Sequence, residues 1–137
     1  MDCNEQSCID LIKKFDWLGL VVDLQKDEVA KLVYDYINTH KWLINETIPF
    51  EITFDQAVFS WYENAYLPMM MAIRDTGLSR LANRAKISTL DLIKKVSTSH
   101  YYLNSDLSKG YYSYEYTCRE VIRMIPGHFW TKLLGCR

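Results

Sequence analysis

The chain has 137 residues, the length of one ordinary domain, and its 49% hydrophobic and 24% charged residues are typical of a globular protein. Five glycines and three prolines are too few for a many-turned β-sandwich and favour long helices. No stretch reaches the roughly 20 apolar residues of a membrane span, and the acidic N-terminus does not resemble a secretory signal. We therefore expect a cytoplasmic protein without a membrane partner.

The first part of the chain predicts two amphipathic helices. Over 4–16, apolar residues recur at i, i+3, i+4 and i+7, namely Cys8, Leu11, Ile12 and Phe15. Over 26–44, one apolar stripe follows helical spacing and consists of Val29, Leu32, Val33, Tyr36, Ile37, His40 and Leu43. The run 17–22 between them fits either a buried strand-like connector or a second short helix.

A capping box marks the start of the next helix, with Thr53 as the N-cap and Gln56 three residues later. Pro68 lies inside the pattern that follows. Because proline lacks a backbone N–H and clashes with the preceding turn, we expect a kink or break near Leu67. The helix then resumes and ends at Gly77, a residue suited to the position after a helix.

Three further helices are predicted in the second part of the chain. Ser88 is an N-cap for a helix that reaches 102 or 103. A polar turn over 104–110 precedes a helix over 113–124, and residues 128–134 form a last short helix. The sequence thus predicts an all-α fold, a compact bundle of five to seven helices in a single domain spanning 1–137.

An internal repeat is visible when the chain is shifted by 60 residues. Thr39-His40-Lys41-Trp42-Leu43 then aligns with Ser99-His100-Tyr101-Tyr102-Leu103, and apolar, acidic and aromatic classes match nearby. This predicts two similar helical hairpins, over 26–75 and 86–125, with Leu67 to Asp75 as an extra segment of the first. Coincidence between two amphipathic helix pairs is the alternative.

The net charge of −1 hides an asymmetry along the chain. Residues 1–75 hold 6 basic and 13 acidic residues, a net of −7, whereas 76–137 hold 10 and 4, a net of +6. This distribution fits head-to-tail contact in a homo-oligomer, a basic face for an anionic partner, or neutralisation between the two halves.

The four cysteines, Cys3, Cys8, Cys118 and Cys136, include no CxxC pair. In a cytosolic chain of this size we interpret them as free thiols, with zinc binding and disulfides as the alternatives.

One stretch resembles a known family. Its segments are Tyr36-Ile37-Asn38-Thr39-His40-Lys41-Trp42-Leu43, then 52–58, then Trp61-Tyr62-Glu63-Asn64-Ala65-Tyr66-Leu67-Pro68, completed by Ala72-Ile73-Arg74. Over roughly 30–105 this pattern resembles the helical region that follows the ParB/sulfiredoxin-like nuclease domain in some bacterial proteins. In that family the presumed chemistry belongs to the preceding domain, so the resemblance implies no catalytic residue in this chain.

The candidate binding residues fall into three groups. Tyrosine is favoured at recognition surfaces, and of six tyrosines between 101 and 116 the loop-to-helix start carries Tyr111, Tyr112 and Tyr114. The methionine segment must present one member to the surface, and we select Met69 and Met70. The basic residues that suit phosphate contacts are Arg74, Arg80, Arg84, Lys86, Lys94 and Lys95.

The favoured hypothesis is a non-catalytic domain that binds an unidentified protein partner, as an adapter or as a small inhibitor of mobile-element origin. The alternative is a nucleic-acid-binding accessory protein that uses the basic segment 74–95. A third hypothesis, a metal-dependent enzyme, requires His40 and His100 to meet. We expect no catalytic residues, no cofactor and no metal site, since no motif for a nucleophile, phosphate loop or zinc protease occurs.

Overall fold

Helices joined by turns and loops make up the described part of the chain. The structure, a computed structural model, describes residues 4–15, 20–105 and 110–124. Its helices are α1 (Glu5–Lys13), α2 (Asp27–Asn45), α3 (Phe54–Trp61), a π-helical turn (Tyr62–Tyr66), α4 (Leu67–Asp75), α5 (Leu78–Arg84), α6 (Thr89–Leu103) and α7 (Tyr114–Met124). No strand occurs among the described residues, and the all-α prediction is confirmed.

None of the helices in these described ranges combines the length and the apolar character needed to span a membrane.

The chain divides into two compact units, Met1–Tyr66 and Leu67–Arg137. In the first unit α2 packs against α1 and α3. The apolar stripes of these helices meet and exclude water, which is the main source of folding free energy. The core consists of Cys8, Ile9, Ile12, Leu24, Val29, Ala30, Val33, Ile37, Phe54, Ala57, Val58, Trp61 and Tyr66.

The second unit is built around α7, which packs against α4, α5 and α6. Its core consists of Met69, Ala72, Ile73, Leu78, Ala82, Ala85, Leu92, Ile93, Val96, Thr117, Cys118 and Val121. The segment Leu67–Asp75 therefore belongs to the second unit, whereas the sequence suggested that it extends the first half. The repeat at an offset of 60 stays a prediction.

Two of the predicted helix starts have the expected caps. At α3 the Thr53 hydroxyl accepts a bond from the Gln56 N–H at 3.2 Å, and the Gln56 side chain accepts one from the Thr53 N–H at 2.9 Å. At α6 the Ser88 hydroxyl accepts a bond from the Asp91 N–H at 3.0 Å. These local bonds satisfy N–H groups that have no partner within the helix.

Replacement of Thr53 by alanine is expected to lower the free energy of unfolding by about 1 kcal/mol, because the Gln56 N–H loses its hydroxyl acceptor. Thr53→Ser keeps the hydroxyl, and serine is at least as good an N-cap as threonine, so no loss in the free energy of unfolding is expected. Urea unfolding followed by circular dichroism measures both values. Equal losses in the two variants would show that the hydroxyl does not stabilise α3.

The disruption predicted at Pro68 occurs as a π-helical turn over Tyr62–Tyr66. Pro68 has no N–H to offer the carbonyl of Asn64, four residues earlier. A turn in which carbonyls bond five residues ahead relieves this mismatch. The Tyr66 hydroxyl accepts a bond from the Val21 N–H at 2.9 Å, and the Tyr66 ring stacks on Tyr62. Helical backbone resumes at Leu67 rather than breaking there.

Helix α5 was not predicted from the sequence. Gly77, at φ +83°, adopts the left-handed conformation expected where α4 ends, and α5 begins at the next residue. The signal for α5 was the spacing of Leu78, Ala82 and Ala85, which all lie buried.

The expectation of free thiols holds for one described cysteine and is wrong for the other. Cys118 is free and buried, whereas Cys8 is disulfide-bonded. Disulfides persist mainly in oxidising compartments, so this bond argues against the cytoplasmic location, which stays a prediction.

The proposed helix over 128–134 and most of the run 17–22 lie outside the described residues. Residues 20–22 form neither helix nor strand.

Candidate partner-binding surface

Four tyrosines of the second unit are exposed where α6 ends and α7 begins. Tyr101 is 58% exposed, Tyr102 69% and Tyr111 74%, whereas Tyr116 is 38% exposed. Tyr101 and Tyr102 meet edge to face, with ring centroids 5.5 Å apart. We call these four residues the tyrosine surface. Only Tyr111 was among the three tyrosines selected from the sequence.

The other two selected tyrosines support this surface from within. Tyr112 is half-buried and stacks on Tyr116, with ring centroids 4.6 Å apart and planes at 18°. Tyr114 is also half-buried, and its ring lies on the ring of His100 at 3.7 Å. Burial, with the neighbouring Tyr111 as a smaller cause, raises the pKa of Tyr114 to about 12. Tyr114 is therefore corrected from a partner-facing residue to a supporting one.

His100 connects α6 to α7 and to the tyrosine surface. Its Nδ1 lies 2.7 Å from the hydroxyl oxygen of Thr117, which is fully buried. The Thr117 hydroxyl donates to the carbonyl of Ser113 at 3.1 Å. Its oxygen is then free to accept, so we assign the proton to Nδ1 of His100. His100 Nε2 accepts from the Tyr111 hydroxyl at 3.3 Å.

Asn104, which follows the last residue of α6, attaches the backbone of Tyr112 to that helix. Its Oδ1 accepts a bond from the Tyr112 N–H at 2.7 Å. Its Nδ2 donates to the carbonyls of His100 at 3.0 Å and of Tyr112 at 3.3 Å. Together with His100, this amide holds the backbone beside Tyr111 in place.

The exposure of Tyr101 and Tyr102 could have been predicted from the sequence. On α6 the residues Leu92, Ile93 and Val96 are buried. A helix advances 100° per residue, so Tyr101 and Tyr102 fall on the side opposite those three. The burial of Tyr114 has no such signal, because it depends on contact with α6.

The selection of Met69 and Met70 needs correction. Met69 is only 2% exposed, and its sulfur accepts a hydrogen bond from the Ser97 hydroxyl at 3.4 Å. Met70 is half-buried. The exposed member of the triplet is Met71, because α4 turns its other faces toward the core of the second unit. The methionine segment therefore offers one exposed side chain rather than a patch.

All six selected basic residues are exposed. Arg74 forms a salt bridge with Asp75. The other five form no salt bridge with any described residue: Arg80, Arg84, Lys86, Lys94 and Lys95. The second unit, Leu67–Arg137, holds 11 basic and 5 acidic residues, a net of +6, and Met1–Tyr66 holds 5 and 12, a net of −7. The charge asymmetry thus follows the boundary between the units.

Each histidine of the pair proposed for a metal has a hydrogen-bond partner within its own unit. His40 Nε2 lies 2.8 Å from the Ser60 hydroxyl within the first unit, and burial lowers the pKa of His40. His100 is held within the second unit. Among the residues that the structure describes, no group of three or more His, Cys, Asp and Glu side chains is placed to hold a metal ion.

His100 is expected to make stability depend on pH. Burial lowers the pKa of His100 from 6.5 to about 4, so the fold favours the neutral ring. As pH falls below 6.5 the unfolded chain binds a proton that the folded chain does not bind until about pH 4, so the free energy of unfolding falls across this window. We expect His100 to account for about 1 kcal/mol of loss between pH 6.5 and 5, allowing for its partial exposure.

Urea unfolding of the wild type and of His100→Asn at both pH values measures this contribution. His40 shifts in the same direction and is present in both proteins, so the difference between them reports His100. Parallel pH dependence of the two proteins would contradict the assignment.

Comparison with known proteins adds no assignment: no protein-family model, curated protein or solved structure matches the chain.

Proposed function

We propose that this protein is a non-catalytic binding domain that recognises a protein partner through the tyrosine surface. The observation that carries the proposal is the exposure of four tyrosines where α6 ends and α7 begins, three of which are more than half exposed. Exposed rings contribute little to folding, because their apolar area remains in water. The same rings bury a large area at low entropic cost when a partner covers them.

The support beneath the surface strengthens the proposal. His100 and Asn104 fix the backbone and the side chains around Tyr111 before any partner arrives. Preorganisation reduces the conformational entropy that binding must overcome, so it raises affinity without adding contacts. The proposal assigns no catalytic residue, in keeping with a resemblance in which the chemistry belongs to a preceding domain.

Site-specific photocrosslinking tests this function. Tyr102 and Tyr111 are each replaced by p-benzoylphenylalanine, and the protein is irradiated in the cells that produce it. Phe50, an aromatic residue of the first unit that is 64% exposed, is replaced in the same way as the control. We expect a protein adduct from Tyr102 and Tyr111 and none from Phe50, because the partner covers the tyrosine surface.

The adduct also identifies the class of partner. An adduct with a second copy of the chain would make the tyrosine surface a homo-oligomer interface, one form of the proposed protein binding. The absence of a protein adduct at both tyrosines, or equal adducts at all three positions, would contradict the proposal.

Nucleic-acid binding is the second candidate function. The observation that favours it is a set of five exposed basic residues that form no salt bridge with the described part of the chain. Phosphate contacts release counterions, so affinity should fall steeply as salt rises. Fluorescence anisotropy with labelled single-stranded and duplex DNA, at low and near-physiological salt, tests it. Arg80→Glu combined with Arg84→Glu should abolish such binding. No binding at low salt would exclude this function.

A further inference from the structure

We infer that the partner of the tyrosine surface presents an acidic segment, and that Lys94 and Lys95 bind its carboxylates. The inference rests on the proposed protein-binding function and specifies the chemistry of the partner. It follows from the arrangement of exposed side chains along α6, from their charge, and from the separation of the charged and aromatic parts.

One face of α6 carries both the lysines and two of the surface tyrosines. Lys94, Lys95, Tyr101 and Tyr102 are all exposed, and Leu92, Ile93 and Val96 form the buried face. At 100° per residue, positions seven apart lie nearly above one another, two turns or about 10.5 Å apart along the axis. Lys94 is therefore aligned with Tyr101, and Lys95 with Tyr102.

The lysines are available to an external anion. Neither forms a salt bridge with any residue in the described ranges. Over 78–103 the chain holds five basic residues, and Asp91 is the single acidic one. Within a unit of net charge +6 this face attracts carboxylates, and complementary charge both steers the encounter and selects the partner.

The separation of charge from rings favours an acidic protein segment over a nucleic acid. A single strand is bound where cations follow its backbone and rings stack between successive bases. Here the lysines lie at one end of the face and the tyrosines at the other. The rings of Tyr101 and Tyr102 are inclined at 79°, so parallel stacked bases could lie on only one of them. A peptide with acidic and apolar side chains in separate positions matches this face better.

The geometry also sets the spacing within the partner. An extended chain covers about 3.3 Å per residue and a helix about 1.5 Å. The distance of about 10.5 Å between lysines and tyrosines therefore corresponds to three residues of extended peptide or seven residues of helix. We expect an aromatic or aliphatic side chain at one of these separations from a pair of Asp or Glu residues.

Selection from a phage library of random 12-residue peptides on the immobilised full chain tests the inference. Enriched peptides are sequenced, synthesised with a fluorophore, and titrated against four proteins. Three of these are the wild type and the double variants Lys94→Glu/Lys95→Glu and Tyr101→Ala/Tyr102→Ala. The fourth is the control Lys14→Glu/Lys26→Glu, which makes the same charge change as the lysine variant at exposed lysines of the first unit. Circular dichroism verifies that each variant is folded.

We expect enriched peptides with paired carboxylates at the stated spacing. Their affinity should fall about tenfold or more in Lys94→Glu/Lys95→Glu and stay unchanged in the control variant. Peptides whose Asp and Glu residues are replaced by Lys should regain affinity for the charge-reversed protein. Such recovery requires the proposed contacts and would not arise from a structural defect.

Other outcomes overturn the inference in distinguishable ways. Peptides that lose affinity in Tyr101→Ala/Tyr102→Ala but carry no carboxylates would exclude the acidic partner and leave the proposed function standing. No enrichment, or enriched peptides whose affinity is unchanged in Tyr101→Ala/Tyr102→Ala, would count against both the acidic partner and the proposed function. Tighter binding of a 20-residue oligothymidylate than of any peptide, lost in the lysine variant, would identify a nucleic acid as the ligand.

Discussion

Replacement of Phe54 by alanine is expected to lower the free energy of unfolding by about 4 kcal/mol, the largest effect of any single change considered. The Phe54 side chain is 2% exposed, and its ring lies 5.8 Å from that of Tyr34 on α2. Truncation removes buried apolar area and leaves a cavity between α2 and α3, the two helices that bury the most residues in the first unit.

Amide hydrogen exchange locates this effect better than a global melting curve. Protection of the amides of α2 and α3 should fall by about a thousandfold, the equivalent of about 4 kcal/mol. Phe50→Ala is the matched control, because Phe50 is exposed and its loss should change stability by less than about 0.5 kcal/mol. Similar losses of protection in the two variants would show that Phe54 does not anchor the α2–α3 contact.

The helices and their caps were largely predictable because the interactions that define them are local. The stripe over 26–44 predicted α2 to within a residue at each end, at Asp27–Asn45. The side-chain caps at Thr53 and Ser88 connect residues three positions apart, so the sequence displays both partners of each bond together. Helix α5 escaped notice because it has only seven residues, too few for a periodic pattern to stand out.

The candidate surface was less predictable because it depends on contacts between residues far apart in the chain. Tyr111 and Tyr114 lie three positions apart in the same tyrosine-rich stretch, but only the ring of Tyr114 is stacked on His100. Three consecutive methionines point in three directions, and only the packing of α4 against α7 decides which one is exposed. Periodicity identifies which side of a helix is buried, and it does not reveal which side chains a neighbouring helix covers.

Replacement of Asn104 by alanine is expected to have the second largest effect, a loss of about 2 kcal/mol in the free energy of unfolding. The change removes the acceptor for the Tyr112 N–H and the donors to the carbonyls of His100 and Tyr112. Each bond contributes about 1 kcal/mol, and the half-buried Tyr112 N–H loses its partner. Ser105→Ala, at the next position, should cost no more than about 0.5 kcal/mol, because Ser105 is exposed.

The same substitution tests whether binding requires only the four tyrosine rings or also their fixed arrangement. All four exposed rings remain in Asn104→Ala, but the backbone beside Tyr111 is no longer attached to the end of α6. If preorganisation raises affinity as proposed, peptides selected on the wild type should bind this variant several-fold more weakly. Hydrogen exchange at the Tyr112 amide supplies the independent measure. Undiminished protection of that amide in Asn104→Ala would show that other contacts order the loop, and unchanged peptide affinity would show that the rings bind without a fixed arrangement.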